Sequence, residues 1–218
     1  MIQAVIFDLD GVIIDSEPIH FKLEQQMFDE LKIAISFKEH CSFVGMSPQN
    51  MWETIVNKHN LTFSPDVLVR KKEVLYLEYL DKQDDVYPIP GVAALIRELY
   101  ENNFKLIIAS SSHTDIIRKV LAKFNFPGFF IAMVSGTELI HSKPHPEIFL
   151  KAAGIANCEP GKCLVIEDSE NGVSAAKAAG MKCIGFLNPN SGEQNLNNAD
   201  VIIKSFKELN SDFIKGIE

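Results

Sequence analysis

Two carboxylates, Asp8 and Asp10, sit two residues apart in Phe7-Asp8-Leu9-Asp10-Gly11-Val12, directly after the apolar run Ala4-Val5-Ile6-Phe7. A strand alternates its side chains, so residues two apart share a direction. Like charges held together are costly unless a cation or a proton neutralises one of them. The pair therefore points to a bound cation, a proton relay, or both. Alone, an Asp after a strand is more often a turn residue. An EF-hand is excluded, because Val12 and Ile13 stand where that loop needs a third acidic ligand and a glycine.

Three more polar groups follow apolar runs. Ser110 and Ser111 come after Lys105–Ala109, Ser142-Lys143-Pro144 after Phe130–Val134, and Glu167 and Asp168 after Cys163–Ile166. Each has a plain structural explanation: a helix cap, a solvated lysine, or acidic residues favoured by a helix dipole. Together they stand in chain order at four successive strand ends, and parallel α/β sheets bind ligands at the carboxyl ends of their strands. Four carboxylates in one crevice call for a hard cation with oxygen ligands, and Mg²⁺ suits a site shared with a phosphate. Lys143 supplies a point charge for that phosphate. Ser110 and the N–H groups of Ser111 and Ser112 precede a helix and form an anion cradle. This set is what phosphoryl transfer requires. Asp8 is the candidate nucleophile, since a carboxylate accepts a phosphoryl group covalently. Asp10 is the candidate acid and base, protonating the leaving oxygen and then activating water.

The elements that position these groups alternate strand and helix. Helices are expected over 114–124, 146–153 and 172–179, strands over 182–186 and 201–203, and a last helix over about 206–214. The pattern predicts an α/β fold, a doubly wound parallel sheet of Rossmann-like type. Residues 15–87 break the rhythm. Ser47-Pro48 and Ser64-Pro65 each pair a capping residue with proline at the first helical position. Helices are expected over 18–31, 48–60 and 65–82. The division is thus a core of 1–14 and 88–218 and a helical insert of 15–87, rejoined through Pro88-Ile89-Pro90-Gly91.

With 21 Lys and Arg against 29 Asp and Glu, the net charge is −8, so any anion-binding field has to be built locally. Nucleic acid, which wants a basic face, is not an expected partner. No leader and no membrane span are read, and Cys41, Cys158, Cys163 and Cys183 form no Cys-x-x-Cys pair. A reduced, cytoplasmic monomer with no membrane partner is expected. Zinc is not expected: His141 and His145 are four apart, but Pro144 and Pro146 forbid the helix that would align them.

The quoted segments resemble the haloacid dehalogenase-like hydrolases: Asp8-Leu9-Asp10-Gly11-Val12, Ala109-Ser110-Ser111-Ser112, Ser142-Lys143-Pro144 and Ile166-Glu167-Asp168-Ser169, in order over essentially the whole chain. The resemblance implies an aspartyl-phosphate intermediate, a mobile cap formed by the helical insert, and Mg²⁺ bound by Asp8, the backbone carbonyl of Asp10 and Asp168, with Glu167 in support. Within the family the chain is similar to the branch holding β-phosphoglucomutase and small sugar-phosphate phosphatases. His20 falls where the mutases carry a His near the acid/base. Gly45-Met46-Ser47 resembles a substrate-touching cap loop, and Lys72 matches a second cap cation. The mutase has an Arg where Pro48 stands here.

The reading is therefore a Mg²⁺-dependent phosphatase of a small phosphate monoester such as a sugar phosphate. A β-phosphoglucomutase-type mutase is the second choice. A dehalogenase would waste Asp10 and the Glu167-Asp168 pair. A phospho-accepting signalling domain shares Asp, Mg²⁺, Lys and Ser/Thr, but is usually near half this length and carries no helical insert. A non-catalytic binding module would leave the carboxylates costly and unused.

Overall fold

Short runs of β-branched and aliphatic residues without polar interruption make strands that bury both faces. In a computed structural model, which describes residues 1–43, 46–84 and 86–217, six such runs pair into one parallel sheet in the order β3-β2-β1-β4-β5-β6. Along the chain come β1 (Ala4–Phe7), α1 (Glu17–Leu31), α2 (Phe37–Cys41), α3 (Pro48–His59), α4 (Pro65–Lys82), α5 (Val92–Glu101), β2 (Lys105–Ser110) and α6 (Thr114–Lys123). Then follow β3 (Ala132–Ser135), α7 (Glu147–Ile155), β4 (Cys163–Glu167), α8 (Glu170–Ala178), β5 (Lys182–Phe186), β6 (Val201–Ile203) and α9 (Ser211–Lys215).

Alternation along the strands divides the core. Val5 and Phe7 face one side with α5 and α6; Ala4 and Ile6 face the other with α7 and α8. β1 is central, paired with β2 and β4, so Asp8 emerges mid-sheet. The connection from β1 leads to one side of the sheet and that from β3 crosses to the other. The carboxyl end of β1 therefore lies at a topological switch point, where such sheets open a crevice.

The chain leaves this core at Ile14 and re-enters at Pro88. The two residues form an antiparallel bridge, and the N–H of Ile89 donates to the carbonyl of Ile13 at 2.9 Å. Between them α1, α3 and α4 share a core of Met27, Phe28, Met51, Trp52, Ile55 and Leu68. Ile19 and Leu23 of α1 and Tyr76 and Leu80 of α4 join the sheet-side core instead. We propose the division 1–14 and 88–218 against 15–87, with α1 and α4 as the seam.

Some boundaries differ from expectation. The single last helix over 206–214 is instead a 3₁₀ turn, Phe206–Glu208, and then α9. Two caps cause the break. Ser205 and Glu208 close a capping box, and the Asn210 side chain accepts the N–H of Phe213 at 2.8 Å, starting a new helix. β3 begins at Ala132 rather than Phe130, because Pro127–Phe129 forms another 3₁₀ turn. α2 and α5 were not anticipated.

Candidate active site

At the end of β1 the chain turns sharply. The carbonyl of Leu9 accepts from the N–H groups of Ile13 (2.8 Å) and Ile14 (3.1 Å), and Gly11 adopts φ +77°. The turn brings Gly11 against Asp168: a Cβ there would lie 1.9 Å from Asp168 Oδ2. Gly172 does the same for Glu167, where a Cβ would lie 1.8 Å from Oε1. Both glycines are needed for close approach to a carboxylate. Gly11→Ala is expected to lower kcat/KM at least tenfold. The left-handed backbone alone makes it destabilising by about 1–2 kcal/mol. Phosphate release and urea unfolding check the two effects.

Lys143 is the hub. It is buried, and its Nζ donates to Asp8 Oδ1 and to Glu167 Oε1, each at 2.6 Å, and to the Ala109 carbonyl at 3.3 Å. The other Glu167 oxygen accepts from the N–H groups of Asp168 and Ser169 and from Ser169 Oγ, each at 2.9 Å. Glu167 is thus committed to holding Lys143 and the start of α8, a supporting position. Asp168 accepts from Ser191 Oγ at 2.5 Å. Asn188 and Asn190, in the same loop after β5, reach the Gly11 carbonyl and Asp15. That loop is a part of the site that motif reading missed. Its polar run directly follows β5 at the same sheet edge, which is the signal that would have found it.

Lys143 binds two carboxylates, Asp8 and Glu167, and Asp168 feels the charge of both. Burial pushes the Asp8 carboxyl up to about 8; Lys143 opposes this, while Glu167 and Asp10 add to it. Burial, Glu167 and Asp8 likewise push Asp168 well above the carboxylate range. Burial works against charge on Lys143, but Asp8 and Glu167 outweigh it and hold the ammonium above the lysine range. An all-oxygen donor set with surplus negative charge suits a hard divalent cation. The residues present therefore fit Mg²⁺, with Asp8 and Asp168 as the carboxylates available to it.

Asp10 is held differently. Its Oδ1 accepts from Ser16 Oγ at 2.7 Å and lies 3.3 Å from His20 Nε2; its Oδ2 accepts from Ser112 Oγ at 2.6 Å and from Ser110 Oγ at 3.4 Å. Burial alone would raise this carboxyl, but His20, Ser112 and Ser16 outweigh it and keep it well below the usual range. The two aspartates, read from sequence as one pair, are thus driven in opposite directions. Ser110 Oγ also accepts the N–H of Ser112 at 3.0 Å. Ser112, enlisted from sequence only through its N–H, contributes its hydroxyl to Asp10.

Asp8, Asp10, Lys143, Glu167, Asp168 and Ser110–Ser112 line a cavity of about 120 Å³. Its other wall comes from the helical insert. His20 is on that wall, tilted against the Tyr76 ring at 4.5 Å, with Nε2 turned to Asp10. Its polar contact is with Asp10, the candidate acid/base group. Lys72 lines the cavity but forms an ion pair with buried Glu24, which also binds His40. Ser47 is not brought to the cavity: its Oγ caps α3, accepting the N–H of Asn50 at 3.3 Å. Pro48 and Met46 are at the wall instead. Gly45 lies outside the described residues.

No helix spans His141 and His145, yet the two meet. Their rings stack with centroids 4.3 Å apart, and Glu147 lies close enough to make a three-donor cluster. The turn does without a helix what the spacing alone could not. Glu147 accepts the N–H of His141 and faces its Nδ1, both at 3.0 Å, and the N–H of Glu147 donates to His145 Nδ1 at 3.3 Å. These donors shape the turn that carries Lys143.

Comparison with known proteins agrees with this geometry. β-Phosphoglucomutase of Bacillus subtilis (strain 168) is 32% identical over 213 residues, covering 95% of this chain and 91% of that protein. Hexitol phosphatase B of Escherichia coli (strain K12) is 30% identical over 222 residues, covering 99% and 97%. The crystal structure of β-phosphoglucomutase from Clostridium difficile superposes with a TM-score of 0.86 at 30% identity, over 99% of this chain and 96% of that one. The family model for haloacid dehalogenase-like hydrolases matches residues 5–186. With its acidic site and the fold around it, the chain belongs to the haloacid dehalogenase-like hydrolases and is a phosphatase or phosphomutase of that family.

Proposed function

We propose that this enzyme is a Mg²⁺-dependent phosphatase that hydrolyses a small phosphate monoester, a sugar or polyol phosphate, through phospho-Asp8. One observation carries the choice of hydrolysis over isomerisation. Among the described residues, Lys72 is the one Lys or Arg that the helical insert sends to the cavity, and it is already paired with Glu24. Arg70 lies instead in a shallow surface groove with Val67, Lys71 and Val74. A mutase must grip a second phosphate, and a paired lysine is a poor grip for it. That hexitol phosphatase B is among the relatives supports the reading.

In the first half-reaction an Asp8 carboxylate oxygen attacks phosphorus, an Asp8–phosphoryl bond forms, and the ester P–O bond breaks. The leaving oxygen takes a proton from the Asp10 carboxyl, which Ser16, Ser112 and His20 hold in place. Water then gives a proton to Asp10 as it attacks phosphorus, freeing Asp8 and inorganic phosphate. Lys143 and the Ser110–Ser112 segment hold the phosphoryl oxygens throughout. When bound, Mg²⁺ supplies the positive charge that brings Asp8 into its ionised form and offsets the phosphoryl charge.

Two measurements test this. EDTA is expected to remove activity, Mg²⁺ to restore it, and Ca²⁺, with looser geometry and more ligands, to fail. Incubated with β-glucose 1-phosphate, Mg²⁺ and a trace of the bisphosphate, the enzyme should release phosphate faster than it forms glucose 6-phosphate. The opposite order would restore the mutase reading, which the likeness to β-phosphoglucomutase favours.

A further inference from the structure

The insert's side of the cavity contains an ion cluster that the phosphoryl-transfer chemistry does not use. Glu24 of α1 is 3% exposed. It pairs with Lys72 of α4 through one carboxylate oxygen and with His40 of α2 through the other. His40 is fixed from two sides, stacked on Phe21 at 4.5 Å and edge-on to Phe28 at 5.6 Å. Burial raises the Glu24 carboxyl, but Lys72 and His40 outweigh it and hold it at about 2, so it is ionised near neutral pH. Three helices thus converge to place a carboxylate against Lys72, the one cavity-lining lysine of the insert among the described residues, while Glu17 and Glu73 line the same wall.

A buried carboxylate is costly to keep without a purpose. Here its effect on a ligand is clear. With Glu24 in place, Lys72 retains hydrogen-bond donors for hydroxyl groups but offers no net positive charge. The positive field is confined to the Lys143 end, where the phosphate binds. We propose that Glu24 is a specificity-determining residue: by neutralising Lys72 it restricts the enzyme to monophosphates whose far end is uncharged and hydroxylated, and it excludes esters carrying a second anionic group. This rests on the phosphatase reading of the site and narrows it to a substrate class.

A matched pair of probes separates charge from shape. Glucitol 6-phosphate and 6-phosphogluconate are both open six-carbon chains and differ only at C1, a CH₂OH against a carboxylate. Their Kd values are measured by calorimetry in an Asp8→Asn background, so that neither is consumed. With Glu24 intact, 6-phosphogluconate should bind at least tenfold more weakly; equal binding overturns the proposal without any further variant. Glu24→Gln should shrink that ratio at least tenfold. Adding Lys72→Met to Glu24→Gln should restore it to within threefold of the starting value, because the pair is again neutral. A ratio that Glu24→Gln leaves unchanged, or that stays collapsed in the double variant, shows a structural role only and overturns the proposal. If both probes bind yet the unmodified enzyme releases phosphate from neither, the phosphatase reading fails while the Kd ratios still decide the role of Glu24. If neither probe binds, both fall.

Discussion

Asp8→Asn should leave a folded protein with essentially no turnover, kcat falling by about 10⁴-fold or more, as for the loss of other covalent nucleophiles. An amide is a poor nucleophile toward phosphorus and a weaker ligand for a hard cation than a carboxylate. The substitution is nearly isosteric, and the amide oxygen can still accept from Lys143, which donates to Asp8 Oδ1 at 2.6 Å. It also removes one of the two carboxylates that Lys143 binds, in a site where Asp168 adds a third acidic group. Metal-free Asp8→Asn should therefore unfold at the same or a higher temperature than the unmodified enzyme. Phosphate release and thermal unfolding, taken together, identify a chemical lesion. Retention of a tenth of kcat would rule out covalent catalysis through Asp8.

Lys143→Met should have the opposite profile, losing both activity and stability. The Asp8 and Glu167 side chains are 8% and 1% exposed, and each takes a 2.6 Å bond from the lysine. Removing one partner of a buried ion cluster leaves charge without compensation, at a cost of about 3–5 kcal/mol. Urea unfolding measures this directly. The double variant Lys143→Met with Glu167→Gln should regain much of the lost stability, since it removes one of the stranded charges. It should stay inactive, because the phosphoryl oxygens have lost their cation. If the two single substitutions simply add, Lys143 and Glu167 do not interact as described.

What the sequence disclosed was whatever one physical rule could place. A parallel sheet brings all its strand carboxyl ends to one edge, so polar residues following Phe7, Ala109 and Ile166 were bound to meet. Lys143, well beyond β3, was placed by the same logic. Groups brought together by helix packing were not legible. Glu24, His40 and Lys72 lie on three helices, and nothing local to any of them states that their side chains converge. The close approaches of Gly11 to Asp168 and Gly172 to Glu167 were equally hidden, because a glycine says that space is short without saying what fills it. Capping signals were reliable at Ser47, where the residue read as a substrate contact turned out to start a helix. They were overlooked at Asn210, where a cap divides what periodicity read as one helix.

The bridge between Ile14 and Pro88 has a consequence for how such an enzyme changes over time. Because the excursion departs and returns at the same point, its ends are already closed, whatever lies between them. Lengthening a segment whose ends are pinned costs little, each doubling adding only about 0.6 kcal/mol of closure entropy. The sheet and its reactive carboxylates can therefore stay fixed while the excursion beyond Ser16 and His20, which hold Asp10, is lengthened, trimmed or replaced. The paired crossing works as a socket into which alternative recognition modules can be grafted. Grafting a different insert that keeps Ser16 and His20 is a route to new substrate preferences that leaves Asp10 with its partners.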